Sequence, residues 1–147
     1  MNSFADHPDR LTPLLEWYAS LSPQSLHDIA RFYAPDAHFV DPFNSVRGHA
    51  DIRALFEHMF ETVDAPRFFI QSQLAGGNQG FATWIFSGTV RGSAFSVPGS
   101  SHLRFANDGR VSVHCDYWDA AALWSQLPLI GGPVRWLQQR FAAPASQ

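Results

Sequence analysis

Two stretches of this chain hold side chains able to do acid–base chemistry. In "HFVDPFNSVRGHADI" (His38–Ile52), Asp41 sits between Phe39-Val40 and Pro42-Phe43. A carboxylate among large apolar neighbours is costly to desolvate unless a partner or a reaction makes use of it. Held in such a pocket it would be a proton-moving base. An aspartate before proline is equally an ordinary Asx-turn residue. Near the other end, in "RVSVHCDYW", His114, Asp116 and Trp118 alternate on one face of an extended segment, and Val111, Val113, Cys115 and Tyr117 occupy the other. Tyr18 and Tyr33 add phenolic hydroxyls, although a tyrosine is more often a core residue with a satisfied hydroxyl than a catalytic donor. The 7 histidines are scattered without a ligand motif and Cys115 is the only cysteine, so neither a metal site nor any other cofactor is expected.

The elements that must position these groups change character along the chain. From about Asp9 to Leu21, the residues Leu11, Leu14, Leu15 and Tyr18 fall on one helical face. Ser22-Pro23 reads as an N-cap and first helical residue, and Leu26, Ile29, Ala30 and Tyr33 continue at helical spacing until Pro35 closes the helix. A short extended piece, Ala37 to Asp41, precedes a polar turn. A third helix opens at Gly48, carries Ile52, Leu55, Phe56 and Met59 on one face, and ends before Pro66.

The period then falls to 2. Phe68–Ala75, Phe81–Arg91, Ala94–Ala106 and Arg110–Trp118 read as four strands, separated by "GGNQG", "RG" and "NDG" turns and best paired as an antiparallel meander. Beyond them, "PLIGGP" interrupts the chain. Val134, Leu137 and Phe141, with Arg135, Trp136 and Arg140, form a short amphipathic segment suited to a lid or packing element, and residues 142–147 read as a flexible tail. Helices followed by a meander make an α+β class. A curved antiparallel sheet wrapped around N-terminal helices leaves an open cone, a natural place for a pocket.

Composition narrows the function. The 147 residues make one domain the simplest reading, and 46% apolar content with 13 Phe and 5 Trp specifies a globular, aromatic-rich chain. A net charge of −3 offers no basic footprint for nucleic acid. The opening "MNSFADHPDRLTPLL" has no basic segment followed by an apolar run, and no apolar stretch approaches the ~20 residues that cross a bilayer. A soluble, cytoplasmic protein with no membrane partner is expected.

"FYAPDAHFVDPFNSVRGHADIRALF" and, later, "LRFANDGRVSVHCDYWD" resemble the nuclear-transport-factor-two-like superfamily, in particular its ketosteroid-isomerase-like and SnoaL-like polyketide-cyclase members. The likeness spans roughly Leu11 to Asp119. It implies the cone-shaped α+β roll, of cystatin-like arrangement, derived above from periodicity. It also implies a homodimer formed through the outer face of the sheet. By this resemblance Asp41 matches the isomerases' general base and Tyr18 the donor to the enolate oxygen, with Tyr33 matching a second tyrosine. Two positions depart from the pattern: Ser101 stands where the family holds a protonated aspartic acid, and Phe56 where a supporting tyrosine belongs. In ketosteroid isomerase that acid stays neutral at ordinary pH and donates a hydrogen bond to the oxyanion. Ser101 keeps a hydroxyl there, shorter and less acidic than a carboxylic acid.

The resemblance also turns the His114 face into the cone. Phe95, Val97, Gly99, Ser101, Leu103 and Phe105 share a core face on the preceding strand, which agrees with that orientation. Ser101, Leu103, His114 and Asp116 would then border the ligand, while Phe56, Trp84, Phe86 and Trp118 would grip its apolar body. The activity implied is cofactor-independent proton movement on a small hydrophobic carbonyl compound, steroid- or polyketide-like. The alternative is a non-catalytic ligand-binding or assembly module of the same fold. Asp116 also matches a functional aspartate of limonene-epoxide-hydrolase-like relatives, but Trp84 and Phe86 occupy the strand where those enzymes place an arginine and a second acid.

Overall fold

The computed structural model describes residues 9–128 together with Gly132, Pro133 and Trp136. The segment expected over Val134, Arg135, Leu137, Arg140 and Phe141, and the tail 142–147, lie outside the described residues.

Helix α1 (Leu11–Ala19) forms where the apolar stripe predicts it, and Leu11, Leu14, Leu15 and Tyr18 are all buried, joined by Trp17. Asp9 Oδ1 accepts hydrogen bonds from the free amides of Leu11 and Thr12, and the bonds from Thr12 hold its carboxyl below the usual range. The second helix is shorter than periodicity suggests. A 3-10 turn at Gln24–Asp28 leads into α2 (Ile29–Phe32), a single turn. Ser22 and Ser25 close its start reciprocally, each side chain accepting from the other's amide at 3.2 and 2.9 Å.

Tyr33 is not helical. It opens strand β1 (Tyr33–Val40), which also contains Pro35. A proline excludes helical geometry at the residue before it, so the chain is already extended two residues upstream of Pro35. The polar turn after Asp41 contains a three-residue strand, β2 (Ser45–Arg47), that pairs back on β1. Helix α3 (His49–Thr62) buries Ile52 and Phe56.

Four long strands follow close to their expected bounds: β3 (Asp64–Gly76), β4 (Gln79–Val90), β5 (Ser93–Phe105) and β6 (Val111–Trp118). β3 starts earlier than expected and runs through Pro66, which an edge strand tolerates. The β4–β5 hairpin turns on Arg91 and Gly92, both with positive φ (49° and 81°), as a tight two-residue turn requires. The sheet has six strands in the order β2-β1-β6-β5-β4-β3. Its meander portion is antiparallel as expected, but β1 pairs with β6 in parallel, so the sheet is mixed. Helix α4 (Ala120–Trp124) follows β6.

Helix α1 packs on β3, and α3 packs on both β1 and β3, so the helices cover one face of the curved sheet. The core lies between them, with Leu11, Leu14, Tyr33, Ile52, Leu103 and Val111 nearly inaccessible. Val111, expected on the outer face with Val113, Cys115 and Tyr117, is instead buried. The register shifts between Arg104 and Phe105, so Ser112 is extra and Val111 swings inward opposite Phe105. The opposite face carries exposed Phe69, Leu74, Phe81 and Tyr117. No helix among the described residues is long and apolar enough to cross a membrane.

One glycine decides how the inner face is filled. Trp84 pairs directly with Gly99, and its indole lies across the glycine, so a Cβ there would come within 2.8 Å of Trp84 Cζ2. Gly99→Ala is expected to destabilise the protein by about 1–3 kcal/mol in urea denaturation, the usual range for overpacking. Gly76→Ala, with nothing within 4 Å, is the neutral control. Equal stabilities for the two variants would show that the indole yields freely.

Candidate functional site

Cross-strand register brings most of the sequence-predicted residues to one place. On the inner face Leu103 lies opposite His114, Ser101 opposite Asp116 and Gly99 opposite Trp118, while the parallel β1–β6 pairing sets Phe39 beside His114. The Phe39 and His114 rings are 4.5 Å apart. Tyr18 arrives from α1 and Tyr33 from the first position of β1.

These residues form one continuous buried network. Trp84 Nε1 donates to Ser101 Oγ at 2.9 Å, and Ser101 Oγ donates to Asp116 Oδ1 at 2.5 Å. His114 Nε2 meets the same Oδ1 at 2.5 Å. On the other side of the imidazole, Nδ1 is 2.8 Å from the Tyr33 hydroxyl and 3.1 Å from that of Tyr18, and the two hydroxyls are hydrogen-bonded to each other. An indole N–H can only donate, which fixes the order of the chain. Ser101 accepts from Trp84 and gives its proton to Asp116, Asp116 is the acceptor, and the His114 Nε2–H points at it. His114 Nδ1 is then free to accept from Tyr33, whose oxygen accepts from Tyr18. Every donor has an acceptor, and among the described residues no buried side-chain N or O atom is left unpaired.

Burial is near complete. His114 is 1% exposed, Tyr33 0% and Ser101 6%, and the Asp116 side chain is 10% exposed. Loss of hydration pushes the Tyr18 and Tyr33 phenols well above their usual range, with the nearby Asp116 charge acting in the same direction. Both phenols are therefore neutral donors at any ordinary pH.

In front of the network lies a cavity of about 620 Å³, within the range of small-ligand pockets. Its wall is mostly aromatic and aliphatic, and it includes Asp41, Phe56, Trp84, Phe86, Asp116 and Trp118, all expected at a ligand site. Tyr18, Ser101, Leu103 and His114 do not reach this wall. They surround a recess of about 10 Å³ behind it, barely the space of one water molecule. Tyr33 borders neither hollow. Trp84, Phe68 and Asp116 border both, so Asp116 is the network's one acidic group at the ligand space. Both of its internal bonds fall on Oδ1, and Oδ2 carries neither.

Asp41 is placed differently from what its apolar neighbours suggest. It is half-buried at the cavity edge rather than enclosed, next to an exposed Phe43. Its Oδ1 accepts from the amides of Phe43 and Asn44, both at 2.8 Å, and from Asn44 Nδ2 at 3.0 Å; Oδ2 takes a further bond from Asn44 Nδ2 at 3.1 Å. This is the Asx turn that the Asp-Pro dipeptide allows. The turn reading of Asp41 therefore describes its local structure and the enclosed-pocket reading does not, although the residue still borders the cavity.

Several further lining residues join those expected from the sequence. Phe43 packs edge-on against Trp118 and stacks on Trp124 at 5.6 Å, forming an aromatic cluster that includes two exposed rings of the cavity lining, Phe43 and Trp124. Phe68, also on the wall, stacks on Phe86 at 4.6 Å. Leu55 and Met59 line it from α3, and their helical spacing was the available clue. Among the described residues no group of three or more His, Cys, Asp or Glu side chains is arranged to hold a metal ion.

Residues 14–114 match the model of the SnoaL-like domain. The chain belongs to that family. Solved structures agree on the SnoaL-like fold. A hypothetical protein of ketosteroid-isomerase-like fold from Catenulispora acidiphila, solved in complex with trimethylamine, superposes with a TM-score of 0.71 at 18% identity, covering 89% of this chain and 98% of that one. A SnoaL-like polyketide cyclase from Jannaschia gives 0.74 at 13% identity, with 85% and 98% covered. An isomerase of the SnoaL-like family from Agrobacterium tumefaciens gives 0.64 at 16% identity, with 77% and 100% covered. No curated protein matches the chain. At these identities the likeness establishes the cone-shaped α+β architecture.

In this SnoaL-like chain the two positions that depart from the isomerase pattern have structural answers. Ser101 is a link between Trp84 and Asp116, and Phe56 packs edge-on against Tyr18 at 5.9 Å while facing the cavity. The buried phenols generate a test. A phenol held above its unfolded value keeps its proton in the folded protein, so its stabilising effect is intact below about pH 10 and is lost as pH rises beyond that. Absorbance at 295 nm should therefore report one tyrosine, the exposed Tyr117, ionising in the folded state. Tyr18 and Tyr33 should ionise only together with the loss of far-ultraviolet circular dichroism. Two or more phenolates before unfolding would contradict the closed network.

Proposed function

We propose that this protein moves a proton on a small hydrophobic carbonyl compound without a cofactor, as an isomerase or cyclase. The observation that carries the reading is Asp116: a nine-tenths-buried carboxylate that lines an apolar cavity and is anchored through Oδ1 by Ser101 and His114, neither of which bonds Oδ2. A base fixed in this way is oriented before substrate arrives, which is what general-base catalysis needs. Asp41, at the same cavity, is the second candidate base. Its Oδ1 is engaged by three donors, so in our reading it assists at the cavity edge while Asp116 takes and returns the proton.

The network also limits the substrate. The hydroxyls of Tyr18 and Ser101 are engaged inside the protein, which leaves neither as a donor to an enolate oxygen. One missing oxyanion donor costs roughly 10²–10³ in rate. The preferred substrate is therefore one whose enolate is stabilised by its own conjugation, a polyketide-like β-dicarbonyl compound rather than a simple ketone. The same lack of a free donor favours the second reading, a binding module that holds such molecules without turnover.

Solvent deuterium exchange at C2 of a hydrophobic β-keto ester, followed by NMR, separates the readings, with a β,γ-unsaturated ketone panel beside it. The wild type should exchange faster than buffer, Asp116→Asn should lose about 10²-fold or more, and Asp41→Asn should lose less. If wild type and Asp116→Asn both match buffer, yet both bind the ester by tryptophan quenching, the binding module is the correct reading.

We further propose a homodimer through the outer sheet face, supported by the exposed Phe69, Leu74, Phe81 and Tyr117. Leu74, Phe81, His102 and Cys115 form one cross-strand row of that face. Sedimentation should give a dimer for the wild type and a monomer for Cys115→Arg, because an unpaired charge in an apolar contact is strongly unfavourable. A monomeric wild type, or a dimeric variant, would rule this interface out.

A further inference from the structure

We propose that the cavity takes a ligand bearing a positive charge on an apolar body, such as a protonated amine or a quaternary ammonium. The inference starts from the charges of the wall. Asp41, Asp51 and Asp116 all line the cavity, and among the described residues no lysine or arginine does; His58, on an exposed turn of α3, is the only other ionisable group apart from these acids. Neither Asp41 nor Asp51 forms an ion pair among the described residues. The ion pairs there are Arg53–Glu57 and Arg110–Asp108, and two further carboxylates, Asp28 and Asp116, contact the imidazoles of His27 and His114. Asp116 lines the cavity with Oδ1 tied to His114 and Ser101, and Oδ2 takes neither bond. The net charge of −3 adds to the same field.

The rest of the wall suits the same ligand. Nine lining residues are aromatic, and Phe43, Trp118 and Trp124 form one cluster. Aromatic faces carry negative quadrupole density and attract cations, more strongly once water is excluded. A neutral carbonyl guest would fill the cavity but offer Asp116 no counter-charge, whereas a carbonyl compound that also carries an ammonium group would satisfy both this inference and the proposed function. An anionic guest would face like charges at Asp41, Asp51 and, with the least screening by water, the nearly buried Asp116. A cationic nitrogen with an apolar body meets both demands of the wall.

The inference rests on the cavity being the ligand site, as in the proposed function, but it concerns binding and holds with or without turnover. Three probes of equal length vary only the charge: 4-phenylbutylamine (protonated at pH 7), 4-phenylbutan-1-ol and 4-phenylbutyrate. Trp84, Trp118 and Trp124 at the wall provide a fluorescence readout, with calorimetry as a check. The ammonium should bind about tenfold or more tighter than the alcohol, and the carboxylate should bind weakest. The trimethylammonium analogue separates charge from N–H donation. If it keeps the advantage, cation–π attraction and field suffice; if only the primary amine does, a hydrogen-bonded pair with a carboxylate is the source, and both results support a cationic ligand. In Asp116→Asn the preference should shrink to within about threefold. Should that variant fail to fold, Asp41→Asn combined with Asp51→Asn, both on accessible acids, should show the same narrowing. An alcohol that binds as tightly as the ammonium in the wild type overturns the proposal, as does a carboxylate that binds tightest. Either result would leave the exchange activity of Asp116 untouched, so the two readings fail separately.

Discussion

A carboxylate and an imidazole in contact beneath a sheet are tolerable only if every other donor and acceptor around them is matched. The His114–Asp116 pair imposes that condition on the whole structure. Removing one partner of a buried pair typically costs about 3–5 kcal/mol, because the other is left without compensation. Here the compensation comes from four separate elements: Tyr18 on α1, Tyr33 at the start of β1, Trp84 on β4 and Ser101 on β5. A network satisfied from so many directions fixes the helix over the sheet as firmly as its apolar contacts do. Positioning the site and holding the fold together are thus one physical requirement.

The sheet meets that requirement through small irregularities rather than regular pairing. With strict alternation Val111 would face outward whenever His114 faces inward. The extra residue Ser112 lets both enter the core. Gly99 leaves room for the Trp84 indole, which can then reach Ser101. The parallel β1–β6 pairing matches Phe39 with His114 and Val40 with Cys115, so the chain leaves β1 at the level of Asp116. The Asx turn at Asp41 therefore borders the same cavity as a residue 75 positions away in the chain.

Local signals made the α+β order, the stripe of α1, the four long strands and the inward face of β5 legible in the sequence. Each depends on periodicity within about a dozen residues. What escaped was of two kinds. Some elements were too short to carry a period, such as the three-residue β2 and the single turn α2, where Pro35 governed the backbone before helical spacing did. The other failures depended on register between distant segments. The Tyr18–His114 bond spans 96 positions, and the stacking of Phe43 on Trp124 also joins remote segments. Asp41 shows the two levels together. Its turn chemistry was readable from Pro42, whereas its half-exposed place at the cavity edge followed only from the β1–β6 pairing.

The division between a closed polar network and an open apolar cavity constrains what this protein can do. Tyr18, Tyr33 and Ser101 have the side chains of donors, but their protons serve the interior, and burial keeps both phenols protonated. The network therefore acts as a rigid mount for one carboxylate rather than as a set of contacts for a substrate. Electrostatic preorganisation of this type lowers the cost of reorientation when charge moves. It also means that a change in a residue behind the wall would act through the orientation of Asp116, while a change in Phe56, Trp84, Phe86 or Trp118 would alter what fits against it. In the function proposed above, substrate selection and proton chemistry would be carried by different residues that meet at Asp116.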